Sequence, residues 1–147
     1  MARGNAIEHL GIEFVEVGDD WISARMPVDA RTIQPYGLLH GGVSVVLAET
    51  LGSAAAHHCV DESAFLTVGI QISANHVRGV RDGHVHGTAR ALHLGRTTQL
   101  WEIRIVNDAG QLVCASNLTV SVVPRPAIGQ LQTSYDGGKI ARKGPLQ

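Results

Sequence analysis

The feature that most constrains the fold is a run of apolar and small residues from Val43 to His58, interrupted by a single carboxylate, Glu49. The run follows Gly41-Gly42 and is apolar on nearly every side, which is typical of a buried helix. About 17 residues at 1.5 Å each predict a rod of roughly 25 Å. Because this is the one long helical pattern, we expect the rest of the chain to enclose it.

Alternating apolar and polar residues predict strands on both sides of this helix. After a short helix over 6–10, a β-hairpin is predicted over 12–17 and 21–27, around a Gly-Asp turn. Four more strands are predicted over 65–78, 84–94, 97–106 and 111–123. One helix and six antiparallel strands can bury their apolar surfaces only if the sheet wraps the helix. This predicts an α+β fold.

The composition indicates one globular domain and excludes several function classes without naming one. The chain has 147 residues and a formal net charge of −1, and 4% of it is aromatic. We expect no nucleic-acid or membrane partner, because such partners need a basic face or stacking aromatics. The predicted domain spans 1–123. The Pro- and Lys-containing stretch 124–147 is predicted to be a mobile or loosely docked tail, with an arm that reaches a partner or the nucleotide of a ligand as the alternative.

Cysteine usage and the N-terminal sequence both favour a cytoplasmic protein. Cys59 and Cys114 are too few for a disulfide framework, and their small apolar neighbours predict buried thiols. The first residues contain no apolar targeting segment, and the apolar helix is too interrupted to span a membrane.

Glu49 is the first candidate for chemistry. A carboxylate inside an apolar helix is costly to bury unless it is paired or used. We interpret Glu49 as a catalytic group, with a buried structural partner as the alternative. Ser53 lies four residues further on the same helix face, where its hydroxyl could bind the carboxylate or a water beside it.

The start of the helix is the second candidate. Glycines there let a ligand approach free N–H groups at the positive end of the helix dipole. A carbonyl group bound at Gly41 or Gly42 would be polarised, with Gln34 and His40 as candidate side-chain donors. Eight residues, about 12 Å of helix, separate Gly41 from Glu49, too far for one reacting group to contact both. The spacing predicts a symmetric dimer in which one copy's helix start faces the other copy's Glu49.

A metal site is the weaker alternative. His84 and His86 share a strand face, and His93 follows seven residues later. No carboxylate in phase with them completes a familiar ligand set, so we expect no metal.

Several motifs together carry a resemblance to a known family. They are the runs 26–32 and 34–42, the helix segment 47–53, and the segments 75–78 (Asn-His-Val-Arg) and 93–96 (His-Leu-Gly-Arg). Over about residues 10–123 the sequence resembles the hotdog-fold acyl-CoA thioesterases of the PaaI-like group. Within that group it is similar to the 1,4-dihydroxy-2-naphthoyl-CoA hydrolases and the proofreading thioesterases of enterobactin synthesis.

The resemblance implies a hotdog fold and a homodimer, assembled into a homotetramer, that hydrolyses an aromatic or medium-sized acyl-CoA without a cofactor. It implies that Glu49 acts as nucleophile or general base and that the Gly41 amide polarises the thioester carbonyl. In the same pattern Gln34 and His40 position the thioester, and Ser53 holds the water. The positions implied to contact substrate or CoA are Gly42, Gly69, His76, Val77, Arg78, Gly79, His93, Leu94, Gly95, Arg96, Thr97 and Thr98. A hydratase or dehydratase of the same fold, or a non-catalytic acyl-CoA-binding module, remains the alternative.

Overall fold

The computed structural model describes residues 4–125. The elements follow one another as α1 (Ala6–Leu10), β1 (Glu13–Val17), β2 (Trp21–Pro27), α2 (Gly41–His58), β3 (Phe65–His76), β4 (His84–Leu94), β5 (Thr98–Asn107) and β6 (Leu112–Pro124). These are the predicted elements, with ends that differ from the prediction by at most two residues. Of the predicted tail, Pro124 ends β6 and the Arg125 N–H donates to the Ala64 carbonyl, while 126–147 lie outside the described residues.

The strands form one antiparallel sheet in the order β1-β2-β4-β5-β6-β3. Within the described chain, β1 and β3 are therefore its two edges. Helix α2 packs against β2, β3, β4, β5 and β6. This arrangement confirms the predicted α+β architecture, in which a sheet wraps a long central helix.

The core lies between the sheet and one side of α2. Leu47, Ala48 and Leu51 of the helix are fully buried, as are Ile103 and Leu118 of the strands. Each fully buried leucine or isoleucine side chain contributes about 1.5–3 kcal/mol of transfer free energy. The small residues of the helix allow this close approach, since a Cβ built on Gly52 would lie 2.6 Å from Cδ2 of Leu118.

The opposite side of α2 corrects the expectation that the helix is buried all round. Glu49 is exposed, and Val43, Val45 and Val46 are only partly buried. A sheet can cover only one side of a helix, so the apolar residues on the other side belong to a surface that a single chain leaves open. Cys59 is likewise exposed, because it lies just beyond the helix end, whereas Cys114 on β6 is buried as predicted.

None of the helices in residues 4–125 has the length and apolarity needed to cross a bilayer.

Candidate active site

The start of α2 leaves one backbone N–H group available to a ligand. His40 is the N-cap residue: its Nδ1 accepts from the Gly42 N–H at 2.9 Å, and its carbonyl accepts from Val43 at 2.9 Å and Ser44 at 3.1 Å. Within residues 4–125 the Gly41 N–H donates to no acceptor. This amide lies at the positive end of an 18-residue helix. It is therefore the donor best placed to polarise a carbonyl group.

The two predicted side-chain donors each keep an N–H group that the described residues do not use. Because Nδ1 of His40 accepts from an N–H, the neutral ring carries its proton on Nε2, which can donate. The Oε1 atom of Gln34 accepts from the Tyr36 N–H at 3.0 Å, so its NH2 group remains to donate. Each side chain thus uses its acceptor on the protein and keeps a donor for a ligand.

The loop before α2 is anchored by a tight turn. Thr32 is buried; its hydroxyl donates to the Pro27 carbonyl at 2.9 Å and accepts from the Asp29 N–H at 2.9 Å. The Arg31 guanidinium pairs with Asp29 at 2.6 Å, and its hydrogen bonds lower the pKa of that carboxyl to about 2. The His40 N–H donates to the Thr32 carbonyl at 2.9 Å, which connects this turn to the helix cap.

Gly41 and Gln34 line a cavity of about 380 Å³, here called the helix-start cavity. Four more predicted site residues line it: His76, Val77, Arg78 and Gly79. The His76 ring lies over the helix start, since a Cβ built on Gly41 would be 3.0 Å from its Nε2. A glycine at position 41 therefore keeps space for both the imidazole and a ligand.

Glu49 and Ser53 line a different cavity of about 610 Å³, here called the Glu49 cavity. Gly69 of β3 lies beside the carboxylate, because a Cβ built on it would be 3.1 Å from Glu49 Oε1. Among the described residues, none lines both cavities. One copy of the chain thus holds the activated N–H group and the carboxylate in separate places.

The predicted turn 93–98 lies away from both cavities. The His93 ring packs against Gly95, and the Thr97 carbonyl accepts from the Val122 N–H. Leu94 lines a third cavity of about 360 Å³ at the end of α2, beside Trp21 and Trp101. Within one copy, the structure does not bring this turn to Gly41 or to Glu49.

Sequence reasoning missed residues that line the Glu49 cavity. Ile7 of α1 and Phe14 of β1 line it because of long-range packing, which a local sequence pattern does not predict. His57 could have been found, since it follows Ser53 by one further four-residue step on the same helix face. Its Nε2 lies 3.2 Å from Glu62 Oε1.

The histidines of β4 do not assemble a metal centre. The His84 and His86 ring centroids are 6.5 Å apart. His86 pairs with Asp108 at 2.7 Å, and this hydrogen bond lowers the pKa of the aspartate. The described part of the chain brings no three His, Cys, Asp or Glu side chains together in a way that could hold a metal ion.

Comparison with known proteins places the chain in a family. The family model described as the thioesterase superfamily matches residues 36–114, which include both Gly41 and Glu49. The chain belongs to the thioesterase superfamily. It is therefore a thioester hydrolase, which decides against the hydratase and the non-catalytic alternatives.

Individual relatives agree with this assignment. The thioesterase is 50% identical to the 1,4-dihydroxy-2-naphthoyl-CoA hydrolase of Escherichia coli, over 84% of this chain and 90% of the relative. It is also 50% identical to the proofreading thioesterase EntH of Cronobacter turicensis, over 82% of this chain and 87% of that relative. The crystal structure of a Haemophilus influenzae thioesterase superposes with a TM-score of 0.81 and 51% identity, over 83% of this chain and 85% of that one. These comparisons confirm the resemblance and the hotdog fold.

Proposed function

We propose that this thioesterase hydrolyses an aromatic or medium-sized acyl-CoA to the free acid and CoA, at sites shared between two copies of the chain. In each site the thioester carbonyl accepts from the Gly41 N–H of one copy and faces Glu49 of the other. The observation that carries the proposal is that these two groups line separate cavities on the same helix. The names of the two relatives, which act as a naphthoyl-CoA hydrolase and as a proofreading thioesterase, support the substrate class.

Pairing of two copies through strand β3 could bring the Gly41 amide of one copy near the Glu49 carboxylate of the other. It is a sheet edge, paired only with β6 among the described strands, and its Val68 and Ile70 are exposed by 47% and 61%. Such an edge is a template for pairing with another strand. Gly69, in the first half of β3, lies beside Glu49, and His76, at the end of the strand, lies beside Gly41. Antiparallel pairing of two β3 edges, with Gly69 opposite His76 of the second copy, would therefore bring Glu49 toward the second copy's Gly41.

The chemistry follows from these two groups. Hydrogen bonds from the Gly41 N–H, Gln34 and His40 stabilise the negative charge that develops on the thioester oxygen. Glu49 then acts in one of two ways. It attacks the carbonyl carbon, releasing CoA thiolate and leaving an acyl anhydride that water hydrolyses. Alternatively, it removes a proton from a water that attacks the same carbon, and the C–S bond breaks to release CoA thiolate and the free acid. Ser53, in the same cavity, is placed to hold that water.

The CoA moiety is assigned by resemblance. Arg78 lines the helix-start cavity, where its guanidinium suits a phosphate group. Within one copy, Arg96 and the rest of the turn 93–98 lie away from both cavities, so we propose that they contact CoA from a different copy of the chain. We place the homodimer within a homotetramer on the same grounds.

The test is turnover of benzoyl-, naphthoyl- and fatty acyl-CoA esters, with free thiol and free acid both measured. Glu49→Gln should lower kcat by about 10³-fold or more, because it removes the reacting carboxylate and keeps the side-chain shape. Glu16→Gln is the matched control, since Glu16 is an exposed carboxylate on β1 outside both cavities. Near-normal thiol release by the Glu49 variant would contradict the proposal.

A further inference from the structure

The helix-start cavity contains a polar side chain that the proposed hydrolysis does not use. Ser44, in the first turn of α2, lines this cavity and is only 1% exposed. The walls around it include the apolar side chains of Leu38, Leu39, Val77 and Val113. A hydroxyl group in such surroundings is costly to desolvate unless it has a hydrogen-bond partner. We therefore looked for the partner of Ser44.

Residues 4–125 supply no partner for the Ser44 hydroxyl. A serine inside a helix commonly donates to the carbonyl group four residues earlier. Here that carbonyl group, of His40, accepts from the backbone N–H groups of Val43 and Ser44, and the hydroxyl does not join them. Every fully buried side-chain nitrogen or oxygen atom in this part of the chain has a partner, so the Ser44 oxygen is not fully buried. It opens into the helix-start cavity, where a ligand can reach it.

Ser44 is also a neighbour of the amide that we assign to the thioester carbonyl. It follows Gly41 by three residues, and residues at this spacing share one side of a helix, about 4.5 Å apart along its axis. Side chains on a helix lean toward its N-terminus, which brings the hydroxyl toward Gly41. The helix-start cavity therefore offers a free backbone donor and a free hydroxyl group side by side.

We propose that the Ser44 hydroxyl accepts a hydrogen bond from the first amide N–H of the CoA arm, the amide nearest the thioester. The inference rests on the proposed function, which places the thioester carbonyl at Gly41. Four covalent bonds join the thioester carbon to this amide nitrogen, a length of roughly 5 Å when extended. This length is close to the separation of Gly41 and Ser44 along the helix. An arm held at Ser44 therefore keeps the thioester beside the Gly41 amide.

The hydrogen bond makes Ser44 a specificity-determining residue for the thiol that leaves. A thiol without an N–H at this position leaves the hydroxyl oxygen without its donor, at the cost of an unmade buried hydrogen bond. The apolar walls of Leu38, Leu39, Val77 and Val113 offer no replacement. Thioesters of CoA carry the amide and simple alkyl thioesters do not, so Ser44 favours the former.

The test compares two benzoyl thioesters that share the acyl group and differ at one position of the thiol. The ester of N-acetylcysteamine carries the amide N–H, and in the ester of 2-mercaptoethyl acetate an oxygen atom replaces it. The native enzyme should prefer the amide ester in kcat/KM by about tenfold or more. Ser44→Ala should lower this ratio to about one, mainly by raising KM for the amide ester. Ser44→Cys, which keeps the side-chain size but accepts hydrogen bonds weakly, should lower it as well.

Ser63→Ala is the matched control, because Ser63 is an exposed serine whose hydroxyl bonds Asp61 in the turn after α2, outside both cavities. Its ratio should equal the native one. A native ratio near one, or a ratio that Ser44→Ala leaves unchanged, would overturn the inference while leaving the proposed hydrolysis intact. Failure to hydrolyse any acyl-CoA ester would overturn the proposed function itself.

Discussion

The first turn of α2 and its later outward-facing turns differ in what they offer a substrate. The first turn presents backbone and amide donors, with the free Gly41 N–H and the NH2 group of Gln34 beside one cavity. The later turns present Glu49, Ser53 and His57 beside another. One region can stabilise negative charge and the other can deliver a nucleophile or a base. Because the two groups of side chains lie at different turns of one straight helix, the proposed site takes one group from each of two copies.

After the Glu49 substitution, the largest loss of activity is expected from removing a donor at the helix start. Gln34→Ala should lower kcat by about 10²–10³-fold, the usual cost of losing one donor to a developing oxyanion. Thiol release from a saturating acyl-CoA measures this directly. Gln111→Ala is the control, because that side chain bonds Asn107 in the β5–β6 turn. A loss confined to KM would show that Gln34 only binds substrate.

The next prediction concerns stability, because the sheet-facing side of α2 forms the core beneath both regions. Leu51 is fully buried there, so Leu51→Ala should lower the free energy of unfolding by about 2–5 kcal/mol. Thr50→Ala, one residue away and facing the Glu49 cavity, should change it by less than about 1 kcal/mol. Urea denaturation at one protein concentration compares the two variants. Equal losses would contradict the assignment of the stabilising core to the sheet-facing side of the helix.

The smallest predicted effect is a change in stability when the turn that anchors the helix start loses a charge. The pKa of Asp29 is lowered from 3.8 to about 2, so its ion pair with Arg31 stabilises the fold above the unfolded pKa. This contribution is lost as pH falls from about 4 to about 2. Asp29→Asn should therefore lower the urea midpoint at pH 5, and the difference from the native protein should shrink over that range. A difference that is independent of pH would exclude the charge as its cause.

Local patterns in the sequence predict most of the fold and part of the site. The strands and the apolar helix can be predicted from periodicity, and the roles proposed for Gly41 and Glu49 from the chemistry of their helix positions. The exposure of Glu49 could not be predicted, because an apolar helix side does not reveal whether a sheet or a second copy covers it. Phe14 and Ile7 enter the Glu49 cavity through long-range packing, which periodicity does not encode.

The most direct test of the shared site is complementation between two inactive variants. Chains carrying Glu49→Gln and chains carrying Gln34→Ala are produced together with different tags, and the mixed dimers are isolated. If each site takes Glu49 from one copy and Gln34 from the other, a mixed dimer has one intact site and should recover about half of the native activity. Mixed dimers no more active than either parent would contradict the account.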